Sequence, residues 1–208
     1  MKSNSFKITE LILIFLITPI SFTLNYSPIL KLIIGFIGFA YVLYILLKVE
    51  RISVKINTHI NWKNFWKNTL LKLILIIIFT SIYVWFTSRS SFFSVVINKP
   101  KMWILILLFY SIFSVFPQEL IYRTFFFKRY QNIIKNEKMF IFMNAILFSL
   151  AHLLFKNTLV LVLTFIGGLL FAFSYKKTES TLLVSIEHAI FGCWLFTVGM
   201  GSMLGFPS

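Results

Sequence analysis

Residues 101–123 read KMWILILLFYSIFSVFPQELIYR. From Met102 to Phe116 the run holds only apolar residues, Tyr110 and two serines. At 1.5 Å per residue, a helix of about 20 such residues crosses the hydrocarbon core of a bilayer. The same stretch ends on Glu119 and Arg123. An ionisable side chain at bilayer depth costs roughly 2.5–3.5 kcal/mol on insertion scales, so each is a functional candidate. Four residues apart, the two share a helix face, where each offsets part of the other's desolvation. Pro117 removes one helical hydrogen bond and frees the carbonyl of Phe113. Proline also suits a first helical turn. The expectation is a broken span, with Gln118 and Glu119 at the start of a new helix.

The rest of the chain is of the same kind. Of its 208 residues 59% are hydrophobic and 12% charged, and the mean hydropathy is +0.89, which leaves too little polar surface for a soluble domain. The fold class is all-α, a polytopic transmembrane helical bundle. Seven apolar runs are expected, at about 8–25, 29–47, 69–88, 101–123, 139–155, 158–175 and 181–204. With the N-terminus cytoplasmic, 13 Lys and Arg residues fall in inner segments and 5 in outer ones. The positive-inside rule favours that orientation. Residues 1–100 form an N-terminal set of spans with a basic segment, and 101–208 form the part that carries the chemistry.

The net charge of +14 does not indicate a nucleic-acid partner. Its basic residues sit in short clusters between apolar runs, as juxtamembrane anchors facing anionic lipid do. Residues 48–68 interleave Arg51, Lys55, Lys63 and Lys67 with Trp62, Phe65 and Trp66, and read either as a segment on the membrane interface or as a basic loop with aromatic anchors. Phe125, Phe126 and Phe127 before Lys128 and Arg129 read as an interfacial anchor closing the fourth span. The lone Cys193 excludes an internal disulfide and reads as a packed residue. Thr164-x-x-x-Gly168, with Gly167, and Gly201-x-x-x-Gly205 read as close helix contacts. Asn157 and Thr178 mark helix ends.

Two further ionisable residues lie in later apolar runs. They occur in Phe148-Ser149-Leu150-Ala151-His152 and in Glu187-His188-Ala189. Imidazole titrates near neutrality, which suits it to proton transfer. Glu187 points about 100° around the helix from His188 and reads as a supporting or lumen-facing acid.

In order on separate helices, these segments resemble the CPBP family, the CAAX-processing endopeptidases and bacteriocin-processing or immunity (Abi) membrane proteins. The family pattern is Glu-Glu-x-x-x-Arg, Phe-x-x-x-His and His-x-x-x-Asn or Asp. Here it stands as Gln118-Glu119-x-x-x-Arg123, Phe148-x-x-x-His152 and His188-x-x-x-Gly192, within roughly residues 100–200. The resemblance implies an intramembrane glutamate-dependent endopeptidase of the cell membrane, cleaving a hydrophobic or membrane-tethered peptide. Glu119 and His152 would activate water, His188 would stabilise the oxyanion, and Arg123 would orient Glu119. Gln118, Phe148 and Gly192 would position water or substrate. Two positions depart from the pattern. Gln118 can hold a water but cannot accept its proton, and Gly192 has no side chain to donate.

Other readings stay open on the residues. A non-catalytic relative would keep the polar cluster as a structural core, binding a partner membrane protein or acting in bacteriocin immunity. No cofactor is implied, with zinc on Glu119, His152 and His188 a lesser alternative that lacks a His-Glu-x-x-His motif. A proton-relay transporter would need a polar path across the membrane, and no internal repeat supports one.

Overall fold

The computed structural model describes residues 3–52 and 61–206, which are helical with no strand among them. Among the described residues, seven helices are long and apolar enough to cross a membrane, making this a multi-pass membrane protein. They are α1 (Asn4–Ser21), α2 (Pro28–Val49), α3 (Trp62–Thr87), α4 (Pro100–Tyr130), α5 (Glu137–Phe155), α6 (Thr158–Thr178) and α7 (Thr181–Val198). Their starts follow from local chemistry. The side chains of Ser3, Asn61, Asn136, Asn157 and Ser180 each accept a hydrogen bond from a backbone N–H in the first turn of α1, α3, α5, α6 and α7. That satisfies donors no helix can satisfy internally. α2 and α4 instead begin on Pro28 and Pro100, whose missing N–H costs nothing there. Asn157 and Thr178 do bound α6, as expected from the sequence.

Several boundaries differ from those read in sequence. α3 begins at Trp62 rather than near residue 69, because Asn61 caps a turn in which Trp62, Phe65 and Trp66 are helical. The interfacial reading of residues 48–68 thus loses both ends to α2 and α3, and residues 53–60 lie outside the described residues. α4 does not break at Pro117. It runs unbroken from Pro100 to Tyr130, with π-helical turns at Tyr110–Val115 and Leu120–Phe125. The wider turn before Pro117 lets the Phe116 N–H reach the Ser111 carbonyl, five residues back. The register has shifted before the proline, so the helix continues through it. Gln118 and Glu119 therefore do not begin a new helix.

Two compact units make up the described chain. Met1–Lys55 and Gln118–Glu179 form one, and Ile56–Pro117 and Ser180–Ser208 the other. In the first unit, Phe15 of α1 lies within 5.2–6.2 Å, ring centre to ring centre, of Tyr122, Phe125, Phe126 and Tyr130. The contacts with Tyr122, Phe126 and Tyr130 are edge-to-face, the geometry favoured by ring quadrupoles. Phe125, Phe126 and Phe127 are buried, so they are core and not an interfacial anchor. Arg129 is likewise no surface anchor. Its guanidinium meets Glu10 at 2.7 Å and Glu50 at 2.8 Å, and Tyr130 donates to Glu10 at 3.1 Å. Tyr41 also donates to Glu10. Two carboxylates meet the cation and two phenols donate to one of them, which lets Arg129 be buried.

α5 and α6 pack closely where Gly168 faces Ala145. A Cβ built on Gly168 would stand 3.0 Å from the Ala145 Cα, which is backbone and cannot rotate away. The small-residue reading therefore holds at Gly168. It does not hold for Gly201-x-x-x-Gly205, which forms a short 3-10 turn with Gly205 at φ +76°.

In the second unit, Glu187 is buried and accepts from Lys72 of α3 at 2.7 Å and from Thr69 at 3.4 Å. It is not a lumen-facing acid. Trp194 donates to Thr80 at 2.8 Å and Trp103 to Thr197 at 3.0 Å. α7 ends on Gly199 at φ +109°, where a Cβ would stand 2.1 Å from the Ser91 carbonyl oxygen. Left-handed backbone and lack of space both require glycine there.

Gly168→Val should lower the thermal midpoint of the detergent-solubilised protein, with an overpacking cost of about 1–3 kcal/mol. Gly35→Ala, where a Cβ meets nothing within 4 Å, should not. A wild-type midpoint for Gly168→Val would refute the close α5–α6 contact.

Candidate active site

The first unit contains Gln118, Glu119, Arg123, Phe148 and His152. Glu119 and Arg123 are both buried, with Nε of Arg123 3.2 Å from Oε2 of Glu119. The guanidinium has a second polar partner that sequence reading missed. Nη1 of Arg123 donates to Oδ1 of Asn144 on α5, and Nδ2 of Asn144 donates to the Tyr122 carbonyl at 2.7 Å. Asn144 was visible as an amide inside the apolar run Phe140–Leu150. Nothing in its spacing tied it to Arg123, which is 21 residues away.

Phe148 connects this ion pair to His152. Its ring lies under the Arg123 guanidinium, 4.8 Å from Cζ to ring centre, and a cation over an aromatic face is stabilised by the ring quadrupole. Its carbonyl oxygen lies 2.9 Å from Nδ1 of His152. A carbonyl only accepts, so Nδ1 donates in this contact, and in the neutral form of the imidazole Nε2 is then the acceptor atom. His152 sits just past the α-helical part of α5, in the turn at φ −96° and ψ 4°, and is half-buried. The imidazole is also braced by the rings of Phe148 at 5.0 Å and Phe155 at 6.0 Å. One residue thus supports a cation with its ring and orients a histidine with its backbone. Gln118 is half-buried on the neighbouring face of α4.

The second unit contains His188 and Gly192 on α7. His188 is buried, and its Nε2 lies 3.1 Å from the Tyr110 hydroxyl. Tyr110 was not singled out in the sequence, where it is one aromatic in an apolar run. Ser111 beside it donates to the Leu107 carbonyl at 2.7 Å and lies 3.6 Å from the Cys193 sulfur. Among the described residues, no three His, Cys, Asp or Glu side chains are grouped to hold a metal ion.

Residues 100–194 match the family described as Type II CAAX prenyl endopeptidase Rce1-like. That match agrees with the resemblance to the CPBP family carried by the three motifs. The match encloses all three motifs, from Gln118-Glu119 to His188-x-x-x-Gly192. No curated protein and no solved structure matches the chain. The matched segment also contains the two departures from the family pattern, Gln118 and Gly192.

Arg123→Ala should destabilise the fold by roughly 3–5 kcal/mol, because it leaves a buried carboxylate without its cation. The double change Glu119→Gln with Arg123→Met should recover much of that loss. Thermal midpoints in nanodiscs test both, and a single variant as stable as wild type would show that the pair is not needed to hold the fold.

Proposed function

We propose that the chain is an intramembrane endopeptidase acting on a hydrophobic or membrane-tethered peptide at the cell membrane, with its chemistry in residues 101–208. The observation that supports it most is the contact of His152 Nδ1 with the Phe148 carbonyl, which makes Nε2 the acceptor atom of the neutral imidazole. One hydrogen of the attacking water goes to the Glu119 carboxylate and the other is held by Nε2 of His152. The water oxygen then adds to the peptide carbonyl carbon. His188 donates to the oxyanion that forms, which stabilises the developing charge. As the C–N bond breaks, the proton held by Glu119 passes to the leaving amine. Arg123 and Asn144 keep the carboxylate oriented throughout. Gln118, in the place of the family's first Glu, holds water or substrate through its amide. The family match supports peptide hydrolysis as the reaction class.

A second reading has its own observation. Glu119, Arg123 and Asn144 are each fully buried and engaged with one another. That is the arrangement expected of a non-catalytic relative, a membrane scaffold or bacteriocin-immunity protein that keeps the cluster as core.

The two separate in a cleavage assay in nanodiscs, with hydrophobic, prenylated and acylated peptides and mass spectrometry as readout. The endopeptidase reading expects wild-type cleavage, a loss of at least 100-fold in Glu119→Gln, and a similar loss in His152→Ala. Activity found only in Gln118→Glu would mark a lapsed enzyme that one carboxylate restores. Folded wild type and folded Gln118→Glu that both leave every peptide intact would favour the scaffold.

A further inference from the structure

Gly192 occupies the position where the resemblance places an Asn or Asp side chain beside the third-motif histidine. The second compact unit shows what fills that space. A Cβ built on Gly192 would stand 2.1 Å from the Tyr110 hydroxyl oxygen, 2.4 Å from Cε1 and 2.5 Å from Cζ of the same ring. No side chain fits at residue 192 while Tyr110 is where it is. The phenol therefore lies directly on the bare backbone of α7, one turn beyond His188. From there its hydroxyl reaches Nε2 of His188 at 3.1 Å. The phenol ring is held edge-on to His188 at 6.1 Å and to Phe196 at 4.8 Å. Tyr110 also opens the π-helical turn Tyr110–Val115. Such turns change the direction of the side chains they contain and recur at functional sites.

We propose that Tyr110 is the positioning residue of His188, and that residue 192 is glycine to admit it. A hydrogen-bonding group supplied from α4 thus does for the histidine what a side chain on α7 itself would otherwise do. The bond works in either tautomer, because a phenol both donates and accepts. It fixes the ring plane and engages Nε2, which leaves the imidazole pre-oriented before an oxyanion forms. The catalytic consequence rests on the endopeptidase reading. The pairing of Tyr110 with His188 and its dependence on Gly192 do not.

The test uses full-length protein in nanodiscs, labelled with 15N-histidine, with His188→Gln identifying the His188 signals by their loss. Tyr110→Phe keeps the ring over Gly192 and removes only the hydroxyl. The expected result is a displaced His188 ring-nitrogen signal. On any peptide the wild type cleaves, kcat should fall about tenfold with KM changed less than threefold. Gly192→Ala should lower the thermal midpoint in the wild-type background, and Tyr110→Ala with Gly192→Ala should lower it no further than Tyr110→Ala alone, the coupling of residues that compete for one volume. His188 signals unmoved in Tyr110→Phe would overturn the proposal, whether or not wild type cleaves a peptide. Displaced signals with no cleavage by wild type would uphold Tyr110 as the positioning residue and remove only the endopeptidase reading.

Discussion

A guanidinium buried in an apolar helical protein is the constraint around which the first compact unit is arranged. Arg123 is completely enclosed, so its charge has to be met by neighbouring protein groups. Its charge is met by Glu119, one of its donors by Asn144, and its flat face by Phe148. Each partner is then constrained in turn. Asn144 must also serve the Tyr122 carbonyl, and Phe148 must keep the rotamer that places its ring under the cation. His152, bonded to the Phe148 backbone, inherits that fixed position. An ion pair of this kind contributes little net stability, since desolvation offsets most of the attraction. Its effect is to specify one arrangement, because any other leaves a buried charge without a partner.

The same rule appears again at Arg129 and at Lys72. Arg129 gathers Glu10 and Glu50, with Tyr130 and Tyr41 completing the shell of Glu10. Lys72 pairs with Glu187, the residue beside His188. Four of the six glutamates are thereby accounted for as partners of buried or half-buried cations. In an environment that cannot screen charge, acids are placed where bases need them.

α4 shows how a local irregularity serves both units. Its π-helical turns lie on either side of Pro117–Glu119. The first absorbs the proline and opens on Tyr110, and the second begins just after Glu119 and contains Arg123. Proline in this helix is therefore a reason for re-aimed side chains and not for a break. Reading Pro117 from sequence as a helix start used the right loss of a hydrogen bond and the wrong remedy. Whether a freed carbonyl leads to a break or to a widened turn depends on what packs against the helix. Phe125–Phe127 and Arg129 illustrate the same gap. Aromatic and basic residues at the end of a span look like interfacial anchors until α1 supplies Phe15 and Glu10 to cover them.

Membrane class, seven apolar runs, the ends of α6 at Asn157 and Thr178, and the positions of the ionisable residues in the three motifs were legible in the sequence alone. Transfer free energy and capping act over one residue or one helical turn, so they can be read along the chain. The tertiary structure decided which group answers each buried polar atom. Asn144 meets Arg123 from 21 residues away, Tyr110 meets His188 from 78, and Glu10 meets Arg129 from 119. Such partners satisfy a hydrogen bond across the fold, and a hydrogen bond leaves no period or spacing in the chain. Gly192 is the clearest case. As a letter it is a missing side chain, and only the phenol resting on its backbone shows what takes that place.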